Sequence, residues 1–142
     1  MQFETVVRSA DELVALARSF ARELKAGDVV TLTGPLGAGK TTFVRGIVLE
    51  LLGADAVTSP TFTFWHEYPG NPTVRHLDLF RLEDESELAE LGLREAFDGD
   101  AIVAIELPER APSLIPAGAR AVDIQGAGDE PRTVRLQGTR PE

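Results

Sequence analysis

The sequence predicts a single α/β domain, and three observations carry that prediction. Two short apolar runs, Val29 to Thr33 and Ala101 to Ile105, are too continuous for strands with one wet face and read as buried strands. Stretches with apolar residues three and four apart alternate with such runs, as helices do in α/β chains. A length of 142 residues fits one domain, spanning 1–142, with enough chain to bury a core. No repeat, low-complexity tract or linker divides it.

Taken in order, Phe3 to Val7 predicts a first strand. Ser9-Ala10-Asp11-Glu12 is a capping-box pattern, in which Ser9 and Glu12 each satisfy an amide left over at a helix start. Leu13, Leu16, Ala17, Phe20 and Leu24 follow at helical spacing, so the helix is expected over 10–25. Gly27 and Asp28 punctuate the chain before the β-branched run from Val29 to Thr33. A second helix is expected from Thr41 to Leu52, stopped by Gly53. Thr61 to Tyr68 and Thr73 to Phe80 read as strands joined by Pro69-Gly70-Asn71-Pro72, a turn signal. Glu83 to Phe97 is acidic and leucine-rich and predicts short helices broken near Gly92. After the run from Ala101 to Ile105, Ala121 to Ile124 and Thr133 to Leu136 flank a turn and predict a terminal hairpin.

Between the first buried strand and the second helix lies Gly34-Pro35-Leu36-Gly37-Ala38-Gly39-Lys40-Thr41, which fits G-x-x-x-x-G-K-[ST] at every fixed position. A triphosphate concentrates negative charge, and the chain that wraps it must turn its amides inward. Gly34, Gly37 and Gly39 can adopt positive φ and leave room for phosphates where a side chain would clash. With Leu36 and Ala38 they form the loop, and the helix start adds the positive end of its dipole. Lys40 can reach the β- and γ-phosphates, the Thr41 hydroxyl suits Mg²⁺, and Thr42 is a further candidate phosphate contact.

Hydrolysis also needs groups that hold the metal and orient water. Glu106 closes the run from Ala101 to Ile105 and Asp78 ends the strand-like Val74-Arg75-His76-Leu77-Asp78. In a parallel sheet the carboxyl ends of strands face the ligand crevice, so both acids are candidates for metal or water beside Thr41, against the plainer reading that each starts a loop. His76 shares a strand face with Asp78, and a lone histidine is more often structural than catalytic. Arg81 and Arg110 read as surface or ion-pair residues before phosphate clamps, and Trp65 and Tyr68 as packing residues. Ser59-Pro60-Thr61-Phe62-Thr63 is either a loop that senses the γ-phosphate or a strand-entry turn.

Composition narrows the partners. Twenty-three acidic residues against 14 basic ones give a formal charge of −9, which disfavours strong direct binding to a nucleic-acid backbone. Hydrophobic residues make up 43% and charged ones 26%, as in soluble globular proteins. No apolar stretch approaches the roughly 20 residues of a membrane span, and the N-terminus lacks the order of a signal peptide. With no cysteine, the chain has no disulfide framework, and a cytoplasmic location is expected.

The sequences GPLGAGKTTF, SPTFTF, HLDLFRL and IELPER, in this order and spacing, resemble the TsaE (YjeE) family of small P-loop ATPases in bacterial tRNA threonylcarbamoyladenosine (t6A) synthesis. The resemblance runs from about Asp28 to Arg110. It implies a P-loop NTPase fold: a mixed, largely parallel sheet flanked by helices, with antiparallel strands at its margins. It also implies ATP and Mg²⁺ as cofactors, slow hydrolysis by the chain alone, and two protein partners, TsaB and TsaD, whose complex is reset by hydrolysis without this subunit performing the transfer. By position, Lys40 and Thr41 match the phosphate and Mg²⁺ residues, Thr61 the threonine of the S-P-T motif, and Asp78 and Glu106 the two acids. Arg132 corresponds to a basic residue of the final hairpin that approaches the nucleotide. Phe80 replaces the family's usual Tyr, Leu107 its usual Trp, and Glu12-Leu13 a frequent Glu-Thr.

Two other classes compete: a small-molecule P-loop kinase and a nucleotide-dependent binding module without useful turnover. A kinase lid would carry several arginines, whereas Leu82 to Phe97 is acidic apart from Arg94.

Overall fold

The computed structural model describes residues 2–54 and 65–138. Seven strands form one sheet: β1 (Gln2–Val7), β2 (Val29–Thr33), β3 (Trp65–Tyr68), β4 (Thr73–Asp78), β5 (Ala101–Glu106), β6 (Arg120–Gln125) and β7 (Arg132–Gln137). Their spatial order is β1-β7-β6-β2-β5-β4-β3. The inner four, β6, β2, β5 and β4, run parallel, while β7 and β1 on one margin and β3 on the other pair antiparallel. The expected sheet is therefore present, and the terminal hairpin is β6–β7. No helix among the described residues is long and apolar enough to cross a membrane.

Strand periodicity assigns the two faces. Val30 and Leu32 of β2 and Ile102 and Ala104 of β5 join one buried cluster, whereas Val29, Val103 and Ile105 join the other. Both faces of the central strands are covered, which is why those runs are continuously apolar. The first face is covered by helices α1 (Ala10–Ala21) and α2 (Lys40–Leu52), which pack on each other through Phe20 and Phe43, ring centroids 5.6 Å apart. The second face is covered by helix α3 (Glu87–Leu91) and 3-10 turns at Leu93–Ala96, Pro108–Arg110 and Pro112–Leu114.

Local chemistry sets the ends. The Ser9 hydroxyl accepts the Glu12 N–H at 3.1 Å, and the Glu12 carboxylate reaches back to the Arg8 N–H at 2.7 Å. Helix α1 stops at Ala21 rather than residue 25, because the next residues close tight turns and the Asp28 carboxylate takes the Lys25 N–H at 2.9 Å. Strand β4 ends at Asp78 rather than Phe80, since Asp78 Oδ1 accepts the Phe80 N–H at 3.1 Å and turns the chain. Gly92 breaks the acidic segment as expected, in a left-handed conformation with φ of 66°.

Candidate functional site

The glycine loop emerges from the carboxyl end of β2 and delivers Lys40 as the first residue of α2. Gly34, Gly37 and Gly39 have φ of 141°, 81° and 116°, all in the region that favours glycine. Their spatial reasons differ from the expectation that each makes room for phosphate. A Cβ on Gly34 would lie 2.1 Å from the Ile124 carbonyl oxygen of β6, and one on Gly39 would lie 2.6 Å from Leu13 Cδ2 of α1. Only the Gly37 position opens onto free space. Gly34 and Gly39 thus let the loop press against the sheet and α1, and Gly37 is the position whose missing side chain leaves room for a ligand.

Helix α2 begins at Gly39 with no side-chain cap and no acidic residue in its first turn. Its leading amides carry partial positive charge, and no side chain of the helix's own first turn caps or neutralises them. Lys40 is buried, and its Nζ donates to the carbonyl oxygens of Gly34 at 2.6 Å and Pro35 at 3.2 Å, so the ammonium sits inside the loop. Among the described residues this set fits a phosphate group: unfilled amides, an enclosed cation and a clear space at Gly37.

The two expected acids come together at the same rung of neighbouring strands. Asp78 of β4 pairs with Glu106 of β5 in parallel register, and both line a cleft of about 400 Å³ with Gly37, Lys40, Thr41 and Thr42. Glu106 Oε2 accepts the Thr41 hydroxyl at 2.9 Å. Burial pushes the Glu106 carboxyl up, but hydrogen bonds from His76 and Thr41 and the charges of His76 and Lys40 outweigh it and hold the group below the usual glutamate range. Glu106 is therefore an anion beside a hydroxyl at the mouth of the loop. Among the described residues no three His, Asp or Glu groups form a metal cage by themselves. A hydroxyl and a carboxylate are the hard, partial ligand set with which Mg²⁺ is held when phosphate oxygens and water supply the rest.

Other expected residues take clear places. Thr61 lies outside the described residues, as does the whole Ser59–Thr63 segment. Leu36 is 96% exposed at the loop tip, and Ala38 is buried. Arg132 does reach the loop, but its donors go to carbonyls: Nε to Ala38 at 2.9 Å, the terminal nitrogens to Gly37 at 3.3 Å, Gly128 at 3.1 Å and Glu130. It ties the β6–β7 turn to the back of the loop. Beside it a second recess of about 360 Å³ opens between Ser9, Thr42, Asp129 and Arg132. Arg110 donates to the Phe80 and Leu82 carbonyls, at 3.2 and 3.0 Å, and Arg81 lies over the Phe80 ring. Trp65 and Tyr68 pack against the two cores as expected.

One residue the sequence pattern undervalued stands in the site. His76 is buried, and its Nε2 lies 2.6 Å from Glu106 Oε2. The signal for it was its place two residues before Asp78 on one strand face, but only the register between β4 and β5 brings it to Glu106.

A parallel sheet with this loop, lysine and carboxylate at its carboxyl edge defines a P-loop nucleotide-binding protein. Comparison with known proteins narrows the class. Residues 7–134 match the family model described as threonylcarbamoyl adenosine biosynthesis protein TsaE, and the chain belongs to the TsaE family. The chain is similar to the tRNA threonylcarbamoyladenosine biosynthesis protein TsaE of Bacillus subtilis, at 41% identity over 125 residues, 87% of this chain and 78% of that one. The TsaE protein of Treponema pallidum is 35% identical over 131 residues, 92% of this chain and 97% of its own. Among solved structures, Bacillus subtilis YdiB superimposes with a TM-score of 0.80 at 30% identity, covering 99% of this chain and 87% of that one.

Proposed function

We propose that this chain is a Mg²⁺-dependent ATP-hydrolysing subunit of tRNA t6A37 modification that acts on a complex of TsaB and TsaD. The observation that carries the hydrolytic part is the Thr41–Glu106 hydrogen bond of 2.9 Å at the start of an uncapped helix. A binding module needs the loop and the lysine. Hydrolysis needs in addition a held metal and a group that orients water, and the Thr41–Glu106 pair with Asp78 on the same rung provides candidates for both.

In this reading the loop amides and the start of α2 bind the phosphates, with the nucleoside directed to the recess beside Ser9 and Thr42. Lys40 exchanges the Gly34 and Pro35 carbonyls for β- and γ-phosphate oxygens. Thr41 and Glu106 hold Mg²⁺, which when bound neutralises charge on the phosphate oxygens. Asp78, on the same rung as Glu106, orients the attacking water. Thr61 is assigned to the γ-phosphate by its motif.

The partner assignment rests on family and charge. A chain of formal charge −9 is a poor ligand for tRNA phosphates and suits protein partners. Leu36 and Phe80, 96% and 60% exposed, flank the cleft where a covering protein would exclude water. Gel-shift binding of the chain alone to tRNA at physiological salt, with submicromolar affinity, would contradict this assignment. The central experiment measures ATP turnover of the wild type and Glu106→Ala, with and without TsaB–TsaD, while following t6A formation. Partner-stimulated turnover that disappears in Glu106→Ala is expected. Turnover indifferent to the partners, or phosphate transferred to a small molecule, would refute the proposal.

A further inference from the structure

We infer that His76 is a positioning residue that fixes one oxygen of the Glu106 carboxylate and leaves the other for the nucleotide cleft. The inference rests on the role proposed above for Glu106 and adds a residue to it.

Strand geometry places the imidazole. Val74, His76 and Asp78 share one face of β4, and Ile102, Ala104 and Glu106 share the corresponding face of β5. His76 stands opposite Ala104, two rungs behind Glu106 and on the same face. Ala104 presents only a methyl group, so the ring extends past it toward the strand end. There Nε2 meets Glu106 Oε2 at 2.6 Å, with the His76 and Glu106 side chains 9% and 7% exposed. On its other side the His76 ring meets that of His66 on β3, with centroids 5.9 Å apart and planes tilted by 34°. The imidazole is thus held between a neighbouring ring and the carboxylate.

The carboxylate is held asymmetrically. Both the His76 contact and the Thr41 hydroxyl go to Oε2. An ionised carboxylate only accepts hydrogen bonds, so Nε2 must carry a proton and donate. Two donors on one oxygen stop rotation about the last side-chain bond and commit Oε2 to the protein. Among the described residues no donor reaches Oε1, so it is the oxygen with lone pairs left for the cleft. Were His76 merely a core residue, its loss would alter stability and leave the carboxylate as effective as before.

The chain contains only two histidines, so ¹H–¹⁵N NMR of the imidazoles resolves each. The wild type should show one histidine with a slowly exchanging Nε2 proton, lost in Glu106→Ala while the His66 signals persist. Absence of that proton in the wild type would overturn the inference. In turnover assays with TsaB–TsaD, His76→Phe keeps a ring and removes the donor, and it should lower kcat about 10- to 100-fold. At saturating Mg²⁺, KM for ATP should stay within about twofold, because the loop amides and Lys40 that bind the phosphates are untouched. His76→Gln restores a donor near the Nε2 position and should recover most of kcat. Unchanged kcat in a folded His76→Phe, or equal losses in Phe and Gln, would also overturn it. If His76→Phe does not fold, His76→Gln and the NMR signature decide. Failure of the hydrolytic reading appears instead as wild-type turnover insensitive to Glu106→Ala, with the Nε2 proton still present.

Discussion

Gly46→Ala tests how tightly α1 supports the helix that carries Lys40 and Thr41. In an unpacked helix this change stabilises by about 1 kcal/mol, because glycine is the poorer helix former. Here a Cβ would sit 2.6 Å from Ala17 Cβ and 3.0 Å from the Val14 carbonyl oxygen. Carbon atoms in contact prefer about 3.5–4.0 Å, so the helices must separate by about 1 Å. Neither neighbour can rotate away, since one is a β-carbon and the other is backbone. Overpacking of this kind costs about 1–3 kcal/mol, which equals or exceeds the propensity gain. The variant should be destabilised by about 1 kcal/mol, lowering Tm by about 3 °C in a domain of this size. Combining Gly46→Ala with Ala17→Gly moves the methyl group from one helix to the other and removes the closer contact, leaving the 3.0 Å approach to the Val14 carbonyl oxygen. The double variant should therefore be more stable than the sum of the single effects by about 1–3 kcal/mol. Thermal melts of the four proteins provide the measurement. A rise in Tm for Gly46→Ala, or simple additivity, would show that the helices are not in close contact at this point.

The remaining expectations concern the loop and its supports. Gly34→Ala should fail to give a folded protein, because its Cβ would strike a strand carbonyl at 2.1 Å, whereas Gly37→Ala should fold and lose nucleotide affinity; circular dichroism and titration with ATP separate the two. Lys40→Ala should abolish measurable ATP binding by calorimetry, and undiminished binding would place the nucleotide elsewhere. Glu50 is held below its ordinary value of 4.5 by hydrogen bonds from Arg18 and Arg22, so its contribution to stability is present above that pH and fades as pH falls through the lowered value. Glu50→Gln should accordingly melt below the wild type at pH 7, and the gap should close in acid and narrow in high salt.

Where local pattern decides the structure, the sequence was readable. Val29–Thr33 and Ala101–Ile105 were readable as buried strands because they are short runs dominated by β-branched and other apolar residues, and α2 followed from the loop before it. Lys40, Thr41, Asp78 and Glu106 were legible because a motif and two strand ends are one-dimensional features. Strand order was not legible: periodicity marks a strand but not its neighbours, and the family resemblance implied only a largely parallel sheet with antiparallel margins, not the order β1-β7-β6-β2-β5-β4-β3. The reason for Gly34 was also hidden, since its constraint comes from Ile124, ninety residues away on β6. His76 and Arg132 show the same limit from the side of polar groups. A histidine on a strand face says nothing about the rung beside it, and an arginine in a hairpin does not announce that its donors go to loop carbonyls.

Asp78 and Glu106 finish on one rung although their strands end by different means, and that coincidence makes the site. Strand β4 is turned by Asp78 itself, whose carboxylate takes the Phe80 N–H. Strand β5 is turned by Leu107, with φ of 59° and ψ of 51°, the only non-glycine residue at positive φ among the described residues. A branched side chain in that conformation costs roughly 1–2 kcal/mol and persists only where its surroundings enforce it. Two contacts do so. The Leu79 N–H continues the ladder to the Glu106 carbonyl at 3.2 Å, and Arg110, carried just beyond Leu107, grips the Phe80 and Leu82 carbonyls. The chain leaving β5 is thereby fastened to the chain leaving β4. The strain at Leu107 is the local cost of stopping the most buried strand abruptly at its one carboxylate, so that Glu106 meets Thr41 and His76 at the crevice edge.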